Sequence, residues 1–171
     1  MNFIRRNRFF EWIASLSLLW LAACAAAISP EMLKDVDQSL PFEGILKDPA
    51  AFQGKAVLLG GDIIETENFP DKTLIIILQR PLDSKQKPSG EDKSKGRFIV
   101  SAPGFLDPAI YGRGRQITVV GTVAGKVVRA LDEIEYTYPI IDRRELYLWP
   151  IEETFETEPR VIFGIGIGFG F

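Results

Sequence analysis

Apolar residues run along the chain in short blocks, each cut off by glycine, proline or charge, and the blocks have the length and composition of strands. Ala56-Val57-Leu58-Leu59-Gly60-Gly61-Asp62-Ile63-Ile64 is the first, and its two glycines mark a bulge or a sharply coiled strand. Residues 73–79 are a β-branched run too short for most helices, and residues 97–101 make a third block. Asn68-Phe69-Pro70-Asp71-Lys72 supplies a hairpin turn between the first two strands, while residues 81–96 read as a charged, solvated loop. Residues 117–123 begin a fourth strand that residues 126–129 prolong, and residues 131–140 wander with acids and aromatics. Glu145-Leu146-Tyr147-Leu148-Trp149 alternates as a fifth strand and stops at Pro150.

One phrase occurs twice, about 60 residues apart. Asp48-Pro49-Ala50-Ala51-Phe52, Gly54-Lys55 and residues 57–63 are echoed by Asp107-Pro108-Ala109-Ile110-Tyr111, Gly114-Arg115 and residues 117–123, with one residue inserted. Each copy reads as a helical turn capped by aspartate with proline at its first position, then a glycine, a basic residue and a curved strand. The aromatics Phe52 and Tyr111 are expected to pack beneath the strands that follow them. Two copies do not make a solenoid. They express either pseudo-symmetry inside one barrel or a coincidence of turn chemistry.

The expected fold is therefore mainly β: three strands, a helical turn, then two strands. That order resembles a small five-stranded oligonucleotide/oligosaccharide-binding (OB) barrel with a helical turn between strands 3 and 4. A small β-sandwich is the alternative, but so few strands are better served by closure than by two stacked sheets.

The chain begins differently. Arg5, Arg6 and Arg8 precede an apolar segment, and residues 12–27 span 16 positions, fewer than the roughly 20 a helix needs to cross the hydrocarbon core. Leu21-Ala22-Ala23-Cys24 resembles a bacterial lipobox, with small residues before the cysteine and a branched apolar residue three positions ahead of it. The resemblance implies cleavage before Cys24, acylation of its thiol, and an outer-membrane address on the periplasmic side, since Ala25 is not the aspartate of inner-membrane retention. An uncleaved signal-anchor is the competing reading. The expected organisation is a signal peptide over residues 1–23, a linker over 24–40, a β domain over 41–153 and a Gly/aromatic tail over 154–171.

Charge and composition narrow the function. Of the chain's 20 basic and 23 acidic residues, three arginines and one glutamate belong to residues 1–23, which leaves 17 against 22 in the remainder, a net charge of −5. An acidic domain is a poor partner for nucleic acid or anionic headgroups. Its membrane attachment must come from lipid on Cys24. The lone cysteine leaves no disulfide, and the chain has no histidine, which removes Ser-His-Asp and Cys-His nucleophiles and histidine-containing zinc sites. An enzyme is not expected, nor is a cofactor or a metal.

Other candidate chemistry is sparse. Tyr136, Tyr138, Tyr147 and Trp149 could form a face for a sugar or peptide, although rings of this kind more often serve as core and corner residues. Asp48 and Asp107 are better explained as caps than as an acid–base pair. The tail, residues 161–171, alternates bulky apolar residues with glycine, which suits an edge-pairing or membrane-touching segment or a sticky, poorly ordered terminus. It lacks the strand-to-helix setting of a phosphate loop.

Gly96-Arg97-Phe98-Ile99-Val100, Pro103-Gly104-Phe105-Leu106-Asp107-Pro108-Ala109-Ile110-Tyr111, Gly114-Arg115, Thr118-Val119-Val120-Gly121 and Val123-Ala124-Gly125 resemble the Slp family of outer-membrane lipoproteins. Tyr136-Thr137-Tyr138-Pro139, residues 146–150 and Leu78-Gln79-Arg80-Pro81-Leu82-Asp83 fit the same pattern. The resemblance implies an envelope lipoprotein associated with starvation and stationary phase, without assigned catalytic residues. Only the lipidated cysteine transfers, onto Cys24. The expected function is an anchored, non-catalytic β-barrel with a structural or interaction role, meeting a periplasmic or outer-membrane protein partner. The alternative is a periplasmic binding module for a glycan, peptide or lipid fragment.

Overall fold

The computed structural model describes residues 27–90 and 92–151, so the expected signal peptide, Cys24 and the Gly/aromatic tail lie outside the described residues. Five strands carry the fold: β1 (Ala56–Asn68), β2 (Lys72–Gln79), β3 (Arg97–Pro103), β4 (Gln116–Leu131) and β5 (Ile134–Leu148). β1–β2, β2–β3, β4–β5 and β1–β4 pair antiparallel, whereas β3 and β5 run parallel. The result is one mixed sheet closed in the order β1-β2-β3-β5-β4, a single ring rather than two stacked layers.

The expected strand order is present, and the hairpin turn at 68–72 is where the sequence places it, with the Phe69 amide donating to the Lys72 carbonyl at 2.8 Å. The fifth strand is much longer than the expected block. Residues 134–140, read from sequence as irregular, pair with the second half of β4 through a tight turn in which Asp132 takes a left-handed φ of 54°. Aspartate tolerates that conformation better than most residues.

The expected helical turn between strands 3 and 4 is reduced to a single hydrogen-bonded turn. The amides of Ile110 and Tyr111 both donate to the Asp107 carbonyl, at 3.0 and 2.9 Å, and no helix follows. Gly114, at a φ of 82°, bends the chain into β4 instead. The helices precede β1: α1 (Pro30–Leu33), α2 (Phe42–Lys47) and a 3-10 turn at Pro49–Phe52. α2 turns Phe42 and Ile45 into the barrel core, where the Phe42 ring meets Phe98 edge-on at 5.8 Å.

The two aspartates differ. Asp107 caps its turn, its carboxylate accepting the Ala109 amide at 2.9 Å, but Asp48 makes no side-chain cap bond. α2 runs directly into the 3-10 turn, so Asp48 serves as its C-cap and spends its own amide on the Gly44 carbonyl at 3.0 Å.

The repeated phrase folds as a local two-fold. β1 residues 56–62 pair with β4 residues 122–116, so Leu59 lies opposite Val119, its counterpart in the other copy. The Gly54 amide donates to the Val123 carbonyl at 2.9 Å, and the Gly114 amide donates to the Ile63 carbonyl at 2.8 Å. Val123 returns its amide to Lys55 at 3.0 Å, as Ile63 does to Arg115 at 2.9 Å. Phe52 and Tyr111 both pack against the main core, as expected. Gly61 and Gly121 are also counterparts. A side chain on Gly61 would collide with the Leu78 carbonyl, and one on Gly121 with the carbonyl of Asp142, so both glycines let the strands coil tightly.

The first described residues are docked on the barrel rather than extended as a spacer. Ile28 is fully buried. The backbone amide of Ser29 donates to both carboxylate oxygens of Glu145 on β5, at 3.1 and 3.2 Å, and its hydroxyl donates at 2.6 Å. Val36 then bridges to Ala56 at the start of β1. The loop at 81–90 is also packed in part: Leu82 bridges Pro88, and both rest where Gly60 has no side chain.

Candidate functional site

The four candidate aromatics do not form one face. Tyr136 and Tyr138 make one pair, with ring centroids 4.7 Å apart, and Tyr147 and Trp149 another at 4.8 Å. The pairs are nine residues apart along the chain, about 30 Å of extended strand. Tyr138 is buried with Ile76 and Ile99 in a second, smaller core, and the Tyr136 hydroxyl accepts the Arg97 amide at 2.8 Å. The Trp149 ring nitrogen donates to the Thr118 hydroxyl at 2.9 Å, and that hydroxyl also donates to the Gln86 carbonyl at 2.7 Å. Lys87 sits 5.8 Å above the indole. These rings hold the long hairpin and the 81–90 loop against the barrel.

A cleft of about 650 Å³ opens elsewhere, between the docked N-terminal segment, the beginning of β1 and the exit from β2. Val36 and Leu40 of the N-terminal segment, Leu58 of β1, and Leu82 with Gln86 of the 81–90 loop line it. The volume is within the range of small-ligand sites, roughly 300–1,000 Å³. The Gln86 side-chain carbonyl is buried without a hydrogen-bond partner among the described residues. A buried acceptor of this kind costs about 1–3 kcal/mol unless something bonds to it.

The charged groups of the cleft are engaged. Arg80 Nε meets Asp62 at 2.7 Å, both side chains being mostly buried, and Lys95 Nζ meets Glu43 at 2.5 Å on the surface. The hydrogen bond from Lys95 holds the Glu43 carboxyl below its ordinary value, helped by its own backbone amide. The Ser39 hydroxyl and amide do the same for Asp37. The Asp83 carboxylate accepts the amides of Lys85 and Lys87, each at 2.8 Å. Among the described residues no cluster of His, Cys, Asp or Glu is arranged to hold a metal. The arrangement is suited to recognition through shape and hydrogen bonds.

Sequence reading missed the cleft because its walls come from three separated segments, around residues 36–42, 57–60 and 79–86. The available signal was the apolar spacing of Val36 and Leu40, set inside a stretch otherwise polar enough to pass for a linker. Cys24 lies outside the described residues.

A family model described as "Outer membrane lipoprotein Slp family" matches residues 21–165. The chain is 31% identical over 150 residues to the outer membrane protein Slp of Escherichia coli (strain K12), covering 85% of this chain and 77% of that protein. It is 36% identical over 103 residues to an uncharacterized protein of Haemophilus influenzae, covering 60% of this chain and 56% of the relative. It is also 28% identical over 118 residues to the uncharacterized lipoprotein YeaY of Escherichia coli (strain K12), covering 69% and 61%. No solved structure matches.

Proposed function

The chain belongs to the outer membrane lipoprotein Slp family, and from that premise we propose that it is held by acyl chains on Cys24 at the periplasmic face of the outer membrane. Its barrel, which we read as OB-like and non-catalytic, serves an interaction role in the envelope under starvation or stress. The OB-like reading draws on the closed order β1-β2-β3-β5-β4 with β3 parallel to β5.

One observation carries the anchoring role. Ile28 is fully buried and Ser29 is bound to Glu145, so only four residue steps separate Cys24 from the barrel. Four residues reach at most about 14 Å. A barrel joined so closely to an acylated residue would be mounted at the bilayer surface. Two or more acyl chains hold stably where one is marginal. The test is incorporation of labelled palmitate and retention in the outer-membrane fraction, both expected to vanish in Cys24→Ser. Membrane retention of the unacylated variant would refute the anchor.

The cleft favours a second reading, a periplasmic binding module for a glycan, peptide or lipid fragment. Titration of the full chain with envelope fragments is expected to change the fluorescence of Trp149, which lies beyond the loop that forms one wall. An unchanged spectrum across all three classes would count against it.

A further inference from the structure

We propose that the cleft takes the end of an extended peptide, whose backbone pairs antiparallel with β1 at Leu58. This rests on the binding reading and names its ligand class.

Backbone polar groups alternate sides along a strand. Ile63 directs both its amide and its carbonyl toward the β4 side, bonding Arg115 and Gly114, and the Lys55 carbonyl does likewise toward Val123. The β1–β4 register is unbroken from Ala56 to Asp62, so Val57 and Leu59 also face β4. Leu58 therefore turns its amide and carbonyl the other way, as Gly60 does. The Gly60 carbonyl accepts the Arg80 amide at 2.9 Å, after which Pro81 leads the chain off the strand line. At the other end Val36 bridges Ala56. Between those two rungs the outward amide and carbonyl of Leu58 have no backbone partner among the described residues, and Leu58 lines the cleft.

The local two-fold shows what fits there. The counterpart of Leu58 is Thr118, which turns its backbone away from β1 and lies opposite Tyr147 of β5. In the second copy the outer lane carries a strand throughout, whereas in the first β2 fills it only from Gly61 onward. The occupant suited to Leu58 is a strand-like backbone running in the sense of β2, antiparallel to β1. Ala56 to Gly60 spans about 13 Å, room for two or three residues, which selects a chain end over a long continuous strand. The buried side-chain Oε1 of Gln86 offers such a backbone a further acceptor, and Val36, Leu40 and Leu82 offer apolar rests for its side chains.

The experiment is amide NMR on the full acylated chain in detergent micelles, with the capped tripeptide acetyl-Ala-Val-Ala-amide at about 10 mM as probe. In the free protein the Leu58 amide is expected to exchange with solvent at least about ten-fold faster than those of Val57 and Leu59. Adding the peptide should move the Leu58 amide downfield and slow its exchange. Ser84→Trp, placed at the exposed rim, should abolish both effects while leaving the remaining spectrum in place. Slow exchange at Leu58 before peptide is added would overturn the proposal, as would shifts confined to residues outside the cleft. The same shifts with N-acetylglucosamine and none with peptide would keep a binding module but reassign its ligand to a glycan. Acylation is read by mass on the same sample, so a failed anchor is seen separately.

Discussion

Leu59 faces Val119 across the β1–β4 ladder, and the two hold the same place in the repeated phrase, so the local two-fold passes between them. A coincidence of turn chemistry would not place counterparts opposite each other or make the glycine bonds reciprocal. The pseudo-symmetry is a property of the folded backbone.

It sets a pair of matched expectations. Gly54 and Gly114 have φ values of 81° and 82° with open space around each. Alanine at either site is strained only by its backbone, costing about 1 kcal/mol. Gly61→Ala and Gly121→Ala must instead push a neighbouring backbone aside, at a cost of more than about 3 kcal/mol. Urea unfolding of the four variants checks this, and similar losses at Gly54 and Gly61 would contradict it.

Glu145 is the fastening point of the N-terminal segment. Glu145→Gln keeps the shape but weakens charge-assisted bonds, so a loss of about 1–2 kcal/mol is expected, with faster exchange of the Ser29 amide. Ile28→Ala removes a fully buried side chain and should cost about 2–4 kcal/mol. Wild-type exchange at Ser29 in the Glu145 variant would show that the segment is held elsewhere.

Tyr136→Phe leaves the Arg97 amide without its acceptor. The expected effect is a loss of about 1–2 kcal/mol in stability, with peptide-induced shifts in the cleft unchanged. A variant of full stability that failed to bind would restore the Tyr136–Tyr138 pair as a binding face.

The Glu43 carboxyl lies below its ordinary value in the folded protein because Lys95 bonds to it. The group releases its proton more readily folded than unfolded, so its contribution is present above the unfolded value and lost as pH falls through the folded one. Lys95→Met should bring the Glu43 titration up toward the ordinary carboxylate range by carbon-detected NMR. The effect on stability is small, since the pair is on the surface. An unmoved titration would locate the cause elsewhere.

Apolar blocks and turn residues made the strand order legible, because a strand with one buried face writes its period into the sequence. The Gly-Lys and Gly-Arg steps made the repeat visible as well. The start of β5 was hidden, since Ile134 and Glu135 are exposed at the tip of the hairpin, where pairing with β4 and not burial decides the conformation. α2 was hidden for another reason: Phe42 and Ile45 give it one apolar face, but six residues are too few for a period to register. The cleft depends on where three distant segments meet, and nothing local encodes that meeting.

The docked N-terminal segment limits more than the mobility of the barrel. On the proposed acylation of Cys24, with Ile28 buried in the barrel four residues later, the cleft would not travel outward through the periplasm to seek a ligand. Its search would then be confined to a thin layer over one leaflet, in two dimensions. Under both proposals, encounter would be governed by the local concentration of peptide ends presented to that layer, so a weak site would suffice for a ligand held at the same surface.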